Sequence, residues 1–171
     1  MDHFAKPDNE LAVAQRNGTL YRNFQGYTTH AGADLYGFGI TSIGQFARMY
    51  AQNAKTLPEY YAALDAGRVS THVGYRLSDD DVLRRDVIMT LMCDFAIDKR
   101  SIEHRYGIVF DEYFADVPER LQELVDDGLV TITSDAITVN GMGILVIRNV
   151  AMAFDAYLPA QREKQIFSRT V

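Results

Sequence analysis

The residues whose types and spacing could do chemistry lie in the run Asp34-Leu35-Tyr36-Gly37-Phe38-Gly39-Ile40-Thr41-Ser42-Ile43-Gly44. Glycines 37, 39 and 44 punctuate an apolar run of strand length. A glycine inside a strand marks a bulge, or a point where another backbone or a ligand comes close. Thr41 and Ser42 set hydroxyls beside Ile43, a mixture that suits the rim of a pocket. The spacing is not G-x-G-x-x-G, because the third glycine comes too late for a phosphate cradle. Two readings stand on this pattern: a tight strand-to-loop connection without a ligand, or a glycine-lined approach to one.

Other chemistry is weakly represented. His3, His30, His72 and His104 are scattered, with no H-x3-H or H-E-x2-H spacing for a metal. A Ser-His-Asp triad lacks its nucleophile elbow. Cys93 is the single cysteine, so it forms no internal disulfide, and a reducing cytoplasm is the natural inference. It reads as a small buried hydrophobe. The formal charge of −6 argues against non-specific binding to nucleic acid or to anionic membranes. No apolar run reaches the roughly 18 residues of a membrane span, and a basic-then-apolar leader is missing.

The elements that must position these residues follow from periodicity and punctuation. Asp8 caps a predicted helix over Asn9–Arg16, which Asn17-Gly18 ends. Gly44 to Asn53 reads as irregular and aromatic-rich. Helix returns over Leu57–Ala66, with Pro58 in its first turn, Gly67 at its end, and a stripe of Tyr60, Tyr61 and Leu64 expected in the core. Val69–Arg76 reads as an extended connection, and a domain boundary is expected just before Ser78. The best helix spans Asp79–Phe95. Ser78 and Asp81 form a capping box, and Leu83, Val87, Ile88, Leu91 and Met92 recur at helical spacing. Arg84, Arg85 and Asp86 are expected on the opposite side. A short helix over Ser101–Tyr106 and a third over Val117–Asp126 precede a hairpin of Leu129–Thr133 and Ala136–Val139. A buried helix over Met142–Leu158 closes the chain, and Pro159 ends it. The third helix carries more acid than base, so it makes a poor DNA reader.

The stretch Gln25-Gly26-Tyr27-Thr28-Thr29, together with Gly37 to Ile43, resembles a segment of the oxygen-independent coproporphyrinogen III oxidases (coproporphyrinogen dehydrogenases). These are radical S-adenosylmethionine enzymes of haem biosynthesis. The likeness runs from Met1-Asp2-His3-Phe4-Ala5-Lys6-Pro7 through Tyr50-Ala51-Gln52-Asn53 and Arg84-Arg85-Asp86-Val87-Ile88. It continues through Ile147-Arg148-Asn149 and Phe154-Asp155-x-Tyr157-Leu158 to Phe167-Ser168-Arg169. The order and spacing of these motifs, more than any one of them, carry the match. The family's C-x3-C-x2-C cluster motif has no counterpart here. The chain therefore looks like the C-terminal portion, without the radical-generating half, and is expected to be inactive alone.

The resemblance implies an α+β, mostly helical fold. Residues 1–76 would end a partial (β/α) barrel, with Asp2 and His3 at the C-terminal end of a strand. Residues 77–171 would form a winged-helix-like domain with a two-stranded hairpin, and the basic tail Gln161–Val171 would fold back towards the barrel. It implies S-adenosylmethionine and a [4Fe-4S] cluster in the complete enzyme, the cluster ligands lying outside this chain. It also implies a porphyrinogen substrate, oxidatively decarboxylated to protoporphyrinogen IX. Through the segment Gly39-x-x-Ser42-Ile43, Ile43 matches a family position that contacts S-adenosylmethionine. Ser42 stands where alanine is common, and Gly44 where serine is. Two other readings remain: a haem-carrying relative that does not decarboxylate, and a non-catalytic winged-helix interaction module.

Overall fold

The computed structural model of the chain describes residues 5–158, and mixes helices with small antiparallel sheets. Asp2, His3 and the basic tail fall outside those residues. The chain divides into two compact units, residues 1–82 and 83–171.

In the first unit, α1 (Glu10–Arg16) starts at Asn9, not Asp8: the Asn9 side chain accepts from the Leu11 N–H at 3.0 Å. A hairpin follows, β1 (Tyr21–Asn23) against β2 (Gly26–Thr28). Its turn is closed by the Asn23 side-chain oxygen, which accepts from Gln25 N at 2.8 Å and Gly26 N at 3.2 Å. The segment read as irregular is instead a second hairpin, β3 (Ile43–Phe46) paired with β4 (Met49–Asn53). The extended segment after α2 (Leu57–Asp65) becomes β5 (Thr71–Arg76), which makes β4 the central strand. Alternation was hard to read here because all six residues of β5 are exposed and β4 is only half-buried. α2 begins at Thr56 with Pro58 in its first turn and ends before Gly67 at φ +68°. Its stripe is not core: no residue of α2 is buried, and Tyr61 and Leu64 are 56% and 45% exposed.

The capping box forms as expected. Ser78 N donates to Asp81 at 2.8 Å and Asp81 N to Ser78 Oγ at 3.1 Å, opening α3 (Asp79–Asp94). From Leu83 onward this helix belongs to the second unit, where Leu83, Val87 and Leu91 enter one apolar core. Arg84 and Asp86 are not a solvated face. Arg84 donates to the Phe154 carbonyl at 3.0 Å and lies 5.3 Å from the centre of the Phe114 ring. α4 (Lys99–Tyr106) ends at Gly107, with φ +66°. α5 (Phe110–Tyr113) follows, and Phe110, Phe114 and Phe154 stack with centroids 4.8 to 6.5 Å apart. α6 (Val117–Asp126) has the expected bounds.

The hairpin of β7 (Val130–Ile132) and β8 (Ala136–Val139) is present, yet the sheet has three strands. β6 (Ala96–Asp98) pairs with β8, so that Ile97 faces Ile137. The long closing helix is also corrected. Residues Gly141–Val146 form a 3-10 helix and α7 is confined to Ile147–Met152. Met142 and Leu145 are 69% and 68% exposed, whereas Ile147, Val150 and Ala151 are buried.

Candidate functional site

The glycine run is a loop and not a strand. Leu35 makes one antiparallel bridge to Gln45, and the ladder proper begins only at Ile43. Between them the chain folds back on β3. A Cβ on Gly37 would stand 3.0 Å from the Ile43 carbonyl carbon and 3.1 Å from its nitrogen, so glycine there serves a backbone-to-backbone approach. Gly39 differs: its φ is +91°, and nothing lies within 4 Å of the position a Cβ would take. Thr41 also adopts a left-handed φ of 60°. For a β-branched residue this is a strained conformation, costing about 1–3 kcal/mol and persisting only where the surroundings over-determine it.

Those surroundings come from the end of β4. Asn53 Nδ2 donates towards Gly37 O and Gly39 O, each at 3.0 Å, and Ser42 Oγ at 3.1 Å. Asn53 N donates to Ser42 O at 3.0 Å, and Thr41 N to Ala54 O at 2.9 Å. Gln52 Nε2 reaches Thr41 O at 3.1 Å. From α2, the Tyr60 hydroxyl accepts from Gly39 N at 3.2 Å. The three site residues read from sequence are therefore brought together: Ser42 Oγ donates to Gly39 O at 2.7 Å, and Ile43 follows, half-buried, as the first residue of β3. What the loop turns outward is apolar, with Phe38 88%, Tyr36 66% and Ile40 37% exposed.

Asn53 and Tyr60, which hold the loop, were not singled out from the sequence. Both lay in view, Asn53 closing the Tyr50-Ala51-Gln52-Asn53 motif and Tyr60 in the helical stripe. The missing signal was the hairpin, which alone brings residue 53 back beside residues 37 to 42.

A second polar cluster lies in the other unit. The Tyr106 hydroxyl donates to Asp86, whose carboxylate also pairs with Arg85 at 3.5 Å and Arg105 at 3.6 Å. Burial and the bond to Asp86 push the Tyr106 phenol up to about 12. Cys93 is buried. Among the described residues, no group of three His, Cys, Asp or Glu side chains is arranged to hold a metal ion. Likewise, none of the helices among them is long and apolar enough to cross a membrane.

The chain has close counterparts among known proteins. Residues 77–146 match the family described as the HemN C-terminal domain. The oxygen-independent coproporphyrinogen III oxidase of Synechocystis sp. is 48% identical over 175 residues, covering all of this chain and 38% of that protein. Its namesake from Salmonella typhimurium is 47% identical, covering the whole chain and 37% of that protein. The chain belongs to the oxygen-independent coproporphyrinogen III oxidases, as their C-terminal portion. The solved Escherichia coli coproporphyrinogen III oxidase (HemN), described as a radical SAM enzyme, superimposes with a TM-score of 0.88 at 47% identity. That match covers 92% of this chain and 36% of the solved one. The chain thus spans a little over a third of the length of these oxidases.

Proposed function

We propose that this chain is the C-terminal part of an anaerobic, cytoplasmic coproporphyrinogen III oxidase, which oxidatively decarboxylates coproporphyrinogen III to protoporphyrinogen IX. Its likeness to such oxidases, in sequence along its whole length and in backbone over 92% of it, carries the reading. On this reading residues 1–76 belong to the end of the radical-SAM (β/α) barrel and residues 77–171 to a winged-helix-like C-terminal domain. A preceding portion of the enzyme supplies the ligands of the [4Fe-4S] cluster and the remaining walls of the substrate site.

The fit to S-adenosylmethionine rests on the loop. Gly39 presents bare backbone towards open space. The Ser42 hydroxyl is already engaged with Gly39 and Asn53, so what the loop offers is apolar: Tyr36, Phe38 and Ile40 exposed, with Ile43 half-buried beside them. In the complete enzyme S-adenosylmethionine held against this loop would supply the radical chemistry of the decarboxylation. This chain's own part is to bind and to exclude water: Ile43 makes apolar contact, while Gly39 and Ser42 shape the backbone against the ligand.

The test is a chimaera in which this chain replaces the corresponding portion of the Escherichia coli oxidase. The reading expects formation of protoporphyrinogen IX and measurable binding of S-adenosylmethionine. Placing an unpaired charge against the ligand costs at least a few kcal/mol, so Ile43→Asp should weaken binding at least tenfold. Ile43→Val should cost only about 0.5–1.5 kcal/mol. A folded Ile43→Asp chimaera that binds like its parent would overturn the assignment of this residue. Haem titration that yields a stable haem complex and no decarboxylation would favour the haem-carrying relative instead.

A further inference from the structure

We infer that Asn53 is the positioning residue of the cofactor loop, an inference that rests on the proposed S-adenosylmethionine site. Three oxygens, Gly37 O, Gly39 O and Ser42 Oγ, converge on one point within 3.0 to 3.1 Å of Asn53 Nδ2. The Ser42 hydroxyl already donates to Gly39 O, which leaves the two carbonyls and the hydroxyl's lone pairs to be met by a further donor. An uncharged amide with two hydrogens answers that need without burying an ion. A carboxylate of the same shape cannot, since it only accepts.

Ordinary strand pairing delivers this amide, since Ile43 pairs with Gln52 and Asn53 follows beside Ser42. The β4–β5 pairing shifts register between Gln52 and Asn53. The extra residue of this bulge is His72 on β5, while β4 continues unbroken into Asn53. The same residue keeps its place in the fold through Asn53 N, which donates to Ser42 O at 3.0 Å. One residue therefore grips the loop at its start, middle and end, holding Thr41 in its left-handed conformation and Phe38 and Ile40 outward. Tyr60 adds a second hold on Gly39 from α2.

Asn53 touches no ligand in this account. It sets the entropy of the loop: a loop already ordered loses little freedom when the ligand arrives, and pre-organisation of this sort appears as affinity. The rank order of two variants separates a donor role from simple space-filling. If donation matters, Asn53→Asp, isosteric but facing the Gly37 and Gly39 carbonyl oxygens, is worse than Asn53→Ala. If packing alone matters, the order reverses.

The experiment measures equilibrium binding of S-adenosylmethionine to the chimaera, together with amide exchange over residues 37–44. Expected are a loss of at least tenfold for Asn53→Asp, a smaller loss for Asn53→Ala, and faster exchange confined to the loop. Tyr60→Phe, which removes only the acceptor for Gly39 N–H, should give a still smaller loss in the same direction. It also provides the reading if the Asn53 variants do not fold. Asn53→Asp binding as tightly as the parent, or Asn53→Ala proving the worse of the two, overturns the inference. If Ile43→Asp also leaves binding unchanged, or the parent chimaera binds no S-adenosylmethionine, the cofactor reading itself fails.

Discussion

Tyr106 carries its proton into a site made for the neutral phenol. Its hydroxyl donates to Asp86, and burial with that acceptor raises its pKa from the ordinary 10 to about 12. A pKa raised on folding contributes stability that is fully present below the unfolded value and lost as pH rises through the folded one. Between about pH 10 and 12 the unfolded chain releases this proton and the folded chain keeps it, so stability falls with rising pH. Tyr106→Phe should remove that part of the slope while the remaining tyrosines leave theirs. Denaturant unfolding of both proteins at pH 9 to 12 makes the comparison. Parallel curves throughout would mean that Tyr106 ionises alike in the folded and unfolded chains.

At the scale of elements, the second unit shows how far local pattern reaches. Helices α3, α4 and α6 were legible from different signals: the capping box and apolar spacing for α3, and the terminal Gly107 and Gly128 for α4 and α6. β6 was not, because no glycine or proline separates it from α3. Phe95 itself takes the left-handed conformation, φ 59°, that a C-terminal glycine usually supplies. The first unit was harder still, since its sheet leaves β5 exposed along its full length and no buried face imprints a period of two. The site was half legible: Gly39, Ser42 and Ile43 stood out by residue type, whereas Asn53 needed the hairpin. The closing helix was overread because Met142 to Leu158 is apolar all round, although Gly143 lies within it. That glycine is buried, and a Cβ there would stand 2.4 Å from Leu129 O and 2.9 Å from Val139 Cγ1. Gly143→Ala should thus destabilise the second unit by about 1–3 kcal/mol, through displacement of the backbone at Leu129. Thermal or urea unfolding of the variant measures it, and an unchanged midpoint would show that the 3-10 turn can move aside freely.

Across the whole molecule, burial is unequal. Among the described residues of the first unit the buried apolar side chains are Ala14, Ala54 and Leu77. In the second, Val87, Leu91, Ile97, Leu121 and Val150 are each wholly shielded and join one continuous cluster. Burial of apolar surface is the main force against chain entropy, so the two units should open at different free energies. Amides of β3, β4 and β5 are expected to exchange faster than those of β6, β7 and β8. Hydrogen exchange followed by mass spectrometry on this chain tests it, and equal protection of the two sheets would contradict it.

The strand order β6-β8-β7 also fixes a timetable. β6 finds its neighbour only in β8, the last strand among the described residues. At synthesis rates of roughly 5–20 residues per second, the roughly 40 residues between them take about 2–8 s to appear. Throughout that interval Ile97 has no Ile137 to face, and the edge of β6 lies open. A chain halted before Val139 therefore keeps its earlier strand waiting, and the nascent protein needs shelter at this point on its way to the folded state.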